Sequence, residues 1–178
     1  MRGADKLLED VAGQPCLRVM AQRALVVTPV VIVTLPGPDH PRACALDGLA
    51  VTRVMVPDAD LGMSRSLVAG AAAVPPDHAL MVLPADMPGI TAASMAAIRT
   101  EQDGKAVLRG ATADGRPGHP ILFPAHLLPR FARLNGDRGA APILLQPDVT
   151  TRLIALPGDQ ATLDLDTPED WAAFRART

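Results

Sequence analysis

Apolar positions along this chain follow two alternating rhythms, one helical and one extended. Leu17, Met20, Ala21 and Ala24 recur at helical spacing, which predicts a first helix over residues 15–25. Residues 30–35 form a β-branched run that reads as a strand, closed by the turn residues Pro36-Gly-Pro-Asp39. A second strand is predicted over 51–56, ending at Pro57-Asp58-Ala59-Asp60. An Ala-rich helix then opens at Gly62-Met-Ser64 and continues to about Val74, where Pro75-Pro76 stops it. Residues 79–83 form an unbroken apolar run, suited to a strand covered on both faces, and a helix follows over 91–102. Further strands are predicted over 105–113, 121–123 and 151–156, with helices over 124–134 and up to Leu145. Thr167-Pro-Glu-Asp170 starts a terminal helix: Thr167 suits the N-cap, Pro168 the first turn, and the acidic pair the positive helix end.

Strands alternating with helices predict a three-layer α/β architecture with a mainly parallel sheet. No repeat, low-complexity tract or linker interrupts the pattern, so residues 1–178 are expected to form a single domain.

Composition narrows the function classes. The chain is 48% hydrophobic but only 2% aromatic, so its core must be built from aliphatic residues and Met. Trp171 is the one tryptophan, tyrosine is absent and the formal net charge is −2, which argues against a nucleic-acid partner. No apolar run reaches the length of a membrane span; residues 26–35 are interrupted by Thr28 and Pro29. With no apolar signal core at the front, a cytoplasmic location is expected. Cys16 and Cys44 lack zinc or redox spacing and read as buried free thiols.

The chemistry-bearing candidates each admit two readings. Asp86 lies between Pro84 and Pro88 at the end of a predicted strand, where open α/β sheets place their ligands. It suits either a Mg²⁺ ligand shared with substrate phosphates or the cap of the helix beginning near Thr91. Asp-x-Asp occurs at Asp58/Asp60 and Asp164/Asp166, but 16 Asp in 178 residues yield about one or two such pairs by chance. The second pair is the better placed, beside a helix start, though it could equally support the turn. The stretch Gly62-Met-Ser64-Arg-Ser66-Leu-Val-Ala-Gly70 could offer N–H groups, hydroxyls and an Arg to an anion, or simply let a helix pack closely. His119, in Gly118-His119-Pro120, fits a solvated turn as well as a site, and the four His show no metal spacing. Lys6 could neutralise phosphate or be merely solvated. Hydrolase and P-loop signatures are absent.

Taken in order, six segments resemble the molybdopterin nucleotidyltransferases, especially the molybdenum cofactor cytidylyltransferase-like branch, which is related to the guanylyltransferases. They are Met1-Arg-Gly-Ala-Asp-Lys6-Leu-Leu, Gly62 to Gly70, Leu83-Pro-Ala-Asp86-Met-Pro88, Gly118-His119-Pro120, Gly136-Asp137-Arg-Gly139-Ala and Asp164-Leu-Asp166-Thr-Pro-Glu-Asp170. The resemblance implies a Rossmann-like nucleotidyltransferase fold. It implies transfer of CMP or GMP from CTP or GTP to the terminal phosphate of molybdopterin, with release of pyrophosphate. By position, Lys6 resembles the phosphate-binding lysine and Asp86 the magnesium-binding aspartate, with Asp166 and less closely Asp164 as further acidic groups at the metal. Gly62, Ser64, Ser66 and Gly70 would line the nucleotide, and Gly118, His119 and Pro120 the molybdopterin. Molybdoenzymes or their chaperones are the class of protein partner implied.

Family members usually start with a strand and a loop of the type Leu-Ala-Ala-Gly-x-Ser-x-Arg-Met-Gly. Met1 falls where the methionine of that loop would be, so a first strand and much of the nucleotide loop are expected to be missing here, through a late-assigned start or a real loss. Pro117 ahead of Gly118 is a smaller departure. Competing readings are a nucleotidyltransferase with another phosphorylated acceptor, a sugar-nucleotide-dependent transferase using Asp-x-Asp, and a non-catalytic remnant of the fold.

Overall fold

The structure, a computed structural model, describes residues 5–177. A 3-10 turn over Lys6–Leu8 leads into a hairpin of β1 (Asp10–Val11) and β2 (Gln14–Pro15), then α1 (Cys16–Val27) and β3 (Ile32–Leu35). Next come α2 (Pro41–Ala45), β4 (Thr52–Met55), a 3-10 turn over Ala59–Leu61, α3 (Met63–Ala72), β5 (Leu80–Val82) and α4 (Ala92–Thr100). The chain finishes with β6 (Val107–Ala111), β7 (Pro117–Phe123), a 3-10 helix over Ala125–Arg133, α5 (Ala141–Leu144), β8 (Thr151–Ala155) and α6 (Pro168–Arg175). Strands and helices alternate along most of the chain, the α/β arrangement expected.

Three local expectations change. Pro15 ends a hairpin rather than opening a helix, because Ala12 and Gly13 both take positive φ (53° and 82°) and fold residues 10–15 back on themselves. Residues 125–133 form a 3-10 rather than an α-helix, since Pro129 inside them supplies no N–H for an α-type bond. Cys16 is buried, but Cys44 is exposed.

Among the described residues β3 and β4 form one parallel pair, and a second sheet has the order β5-β7-β6-β8. In that sheet β7 alone runs against its neighbours, and β6 and β8 are parallel. Among the described residues no ladder joins β3 to β5, yet helices span both strands on each face. On one side α1 packs Leu17 and Ala21 with Leu35, and Met20 beside Met81 and Leu83. On the other, Gly70 of α3 lies against Thr34, with room for a Cβ only 3.4 Å from its methyl, while Leu67, Val68 and Ala71 pack with Leu80 and Val82.

Residues 80–82 are therefore only half-buried, where the apolar run predicts full burial: an unpaired edge leaves them partly open. The fully enclosed strand is β6, whose Val107 and Leu108 have no exposed surface. Trp171 of α6 is likewise fully buried, and its indole N–H donates to the Leu165 carbonyl at 3.1 Å.

Candidate active site

Strand polarity gathers the candidate residues at one sheet edge. Asp86 lies four residues beyond the end of β5. The antiparallel register pairs Val82 with Ile121, and continued outward it brings His119 level with residue 84. The Asp164–Asp166 segment closes over the same edge, with the Leu165 N–H donating to the Asp86 carbonyl at 3.1 Å. Topology thus delivers residues 6, 86, 119 and 166 to one place, outside the carboxyl end of β5.

The loop that carries Asp86 is fastened from below by α1. The Cys16 thiol donates to the Ala85 carbonyl at 3.0 Å. Arg23 donates to the carbonyls of Pro88 (2.5 Å) and Ile90 (2.9 Å). Burial, reinforced by the charge of Asp86, pushes the Cys16 thiol up to about 12, so it stays a neutral donor. Sequence reading missed Arg23 and Cys16 as supports of the site; a helix-borne Arg facing a Pro-rich loop is visible only once both are folded. The cap reading of Asp86 falls away, because Thr91 caps α4, its hydroxyl accepting from the Ser94 N–H at 3.1 Å.

Asp86 instead meets Lys6. The Lys6 ammonium lies 2.6 Å from Asp86 Oδ2 and 2.6 Å from Asp166 Oδ1. Partial burial works against the ammonium, but hydrogen bonds from it to Asp166 and Asp86 outweigh that and raise its pKa. The backbone under Lys6 is anchored by Asp5, which accepts from Arg42 Nε at 2.7 Å and Nη2 at 2.9 Å and from the Leu7 N–H at 3.1 Å. The remaining residues of the first motif, Met1–Ala4, lie outside the described residues. Asp164 is exposed, and its charge acts on His119 rather than joining this ion pair. The turn reading of Asp166 also gives way: the helix cap is built by Thr167 and Asp170, which exchange hydrogen bonds as a capping box.

Gly118-His119-Pro120 is clamped at the start of β7. Its residues include a cis His119–Pro120 bond, and the His119 N–H donates to the Ala161 carbonyl at 2.7 Å. A Cβ at Gly118 would stand 1.7 Å from that same carbonyl oxygen, so only glycine fits. His119 is not a solvated turn residue. Its ring is largely buried, and Nδ1 is the one buried side-chain nitrogen or oxygen without a partner among the described residues. Burial, with Arg109 nearby, lowers its pKa below the ordinary value of 6.5, against the opposing pull of the Val82 carbonyl, Asp86 and Asp164.

The Gly62–Gly70 stretch behaves differently. The expected free N–H groups at its start are in use: Met63 donates to Asp137 Oδ1 at 3.3 Å and Ser64 to the Gly136 carbonyl at 3.2 Å. Ser64 is buried, Arg65 pairs with Asp58 at 3.2 Å, and Gly70 serves close packing on β3. Ser66 is half-buried on the same helix. Asp58 thereby has a local partner, and the first Asp-x-Asp contributes no metal cluster. Among the described residues no three His, Cys, Asp or Glu side chains converge as a metal site.

A MobA-like NTP transferase domain profile matches residues 1–153. The chain belongs to this family. It is a nucleotidyltransferase. A homologue of Rv0371c from Mycobacterium sp. strain JC1 is 27% identical, with a TM-score of 0.85 over 98% of this chain and 88% of that one. Rv0371c of Mycobacterium tuberculosis H37Rv, solved as a complex with manganese, is 25% identical with a TM-score of 0.80, covering 97% and 92% of the two chains. A nucleotidyl transferase from Methanothermobacter thermautotroptrophicus shares the fold at 23% identity and a TM-score of 0.83, covering 98% and 85%. A search of the curated proteins gives no match. Among the described residues no helix is long and apolar enough to cross a membrane.

Proposed function

We propose that this nucleotidyltransferase moves CMP or GMP from CTP or GTP to the terminal phosphate of molybdopterin. The observation that carries the reading is the meeting of Lys6 with Asp86 and Asp166 at 2.6 Å each, at the carboxyl end of β5. Two carboxylate oxygens converging on one cation are a donor set that fits a hard divalent ion such as Mg²⁺, with the remaining ligands drawn from phosphate and water. Bound there, the ion would neutralise charge on the triphosphate and align it for displacement.

The chain's own residues supply the rest. Asp86 and Asp166 would hold the ion, with Asp164 adding negative potential beside them. Lys6 would neutralise the α-phosphate and the departing pyrophosphate, and Ser66 would line the nucleotide side. A phosphate oxygen of the acceptor bonds to the α-phosphorus as the bond to the β-phosphate oxygen breaks. That attacking oxygen is already anionic near neutral pH, so positioning and charge neutralisation do the work without a dedicated base. Gly118, His119 and Pro120 would face the acceptor.

The test is incubation with molybdopterin, Mg²⁺ and each of CTP and GTP, following pyrophosphate release. Release that requires all three components supports the reading. Release only with a different phosphorylated acceptor would keep the nucleotidyl transfer and replace molybdopterin.

A further inference from the structure

Lys6 holds the cation position of the two carboxylates it is meant to serve. Its nitrogen is at hydrogen-bond distance from both Asp86 Oδ2 and Asp166 Oδ1, 2.6 Å in each case. A divalent ion bound to those oxygens would sit about 2.1 Å from each. The ammonium and the ion would then carry three positive charges into one small volume, so both cannot occupy it. The two carboxylates differ in exposure: Asp86 is 20% exposed on a fastened loop, whereas Asp166 is 63% exposed.

We propose that Lys6 is a built-in counter-ion that exchanges with the divalent cation. Without metal it neutralises Asp86 and Asp166 and keeps the Asp166 segment closed over the β5 edge. When the ion takes the carboxylates, the ammonium swings away on its flexible stem and becomes available to a polyphosphate. The Asp5–Arg42 pair keeps the backbone of Lys6 in place, so the exchange needs only side-chain rotation. Metal and triphosphate therefore bind with positive coupling, and by linkage each strengthens the other equally. This rests on the nucleotidyl-transfer reading and deepens it by coupling the metal site to the triphosphate site.

The sequence provides its own control, because Lys6 and Lys105 are the only lysines and Lys105 is exposed. Reductive methylation of the full chain, read by peptide mass spectrometry without nucleotide, compares their rates. Saturating Mg²⁺ is expected to accelerate labelling of Lys6 several-fold relative to Lys105. Asp86→Asn should label quickly from the start and lose the metal effect. In a Mn²⁺ titration read from the free-ion EPR signal, Lys6→Met should bind the metal about tenfold more tightly than wild type, within the usual range of coupling between sites. Unchanged or slower labelling of Lys6 on adding Mg²⁺ overturns the exchange, as does Mn²⁺ binding that Lys6→Met leaves equal or weaker. Released Lys6 with no pyrophosphate formation from any acceptor would leave the exchange standing and sink the transfer reading instead.

Discussion

At the Lys6 corner of the site edge, opposite charges from residues 6, 86 and 166 meet through side chains alone. At the Gly62 corner, the helix start that looked like an anion cradle has its N–H groups taken by Gly136 and Asp137, and its Arg by Asp58. Both corners were built from residue types that suit phosphate. What separates them is whether the protein has already spent those groups on itself: backbone donors fixed in a cap cannot be released cheaply, whereas a long ammonium can change partners by rotating.

The strongest way to break this contrast is Asp86→Asn. It should lower nucleotidyl transfer by about 10²–10³-fold or more, the scale of losing one preorganised charge-stabilising group, while circular dichroism and melting stay near wild type. A fully active variant would move the metal elsewhere. At the other corner Gly62→Ala should cost stability instead. Gly62 has φ +126°, and a Cβ there would lie 2.6 Å from Asp137 Oδ1 and 2.9 Å from the Gly136 carbonyl oxygen. Urea unfolding should show a loss of about 2–3 kcal/mol, the cost of strained backbone plus overpacking. Asp137→Ala removes only the acceptor for the Met63 N–H and should cost about 1 kcal/mol, as a lost cap does.

The mildest test uses pH. His119 has a lowered pKa in the folded chain, so the unfolded state binds the proton first as pH falls. Its contribution to stability is full above the unfolded value of 6.5 and declines as pH drops from there towards the folded pKa. Melting curves from pH 7.5 to 5.5 should show this decline, and His119→Gln should flatten that part of it. An identical slope in both proteins would remove His119 as its source.

Much of the fold was legible in the chain. The helical period of residues 17–24 and the Ala-rich stretch between Gly62 and Pro75 marked their helices, the β-branched run before Pro36 marked β3, and Thr167 to Asp170 marked a cap that formed in full. The Asp10–Pro15 hairpin escaped because two-residue strands have no periodicity to read, and the 3-10 form of Ala125–Arg133 escaped because a helix was expected there without weighing Pro129. Burial of β5 was overestimated, since apolar runs report what covers the faces of a strand and not whether its edges are paired.

The candidate site divides along the same line. Sequence alone determined which residue types stand at two element ends, because backbone preference and hydrophobic period are local: Asp86 after β5 and Asp166 before a capped helix; that β7 reaches back to Pro117 and takes in Gly118-His119, where a strand only over 121–123 is predicted, came from the structure. Only the tertiary structure decided their partners. Lys6 and Asp166 are separated by 160 positions and hydrogen-bond at 2.6 Å, and the N–H groups of residues 63 and 64 are satisfied by a turn beyond position 135. Electrostatics and hydrogen bonding act over a few ångströms of space, and distance along the chain does not report that space.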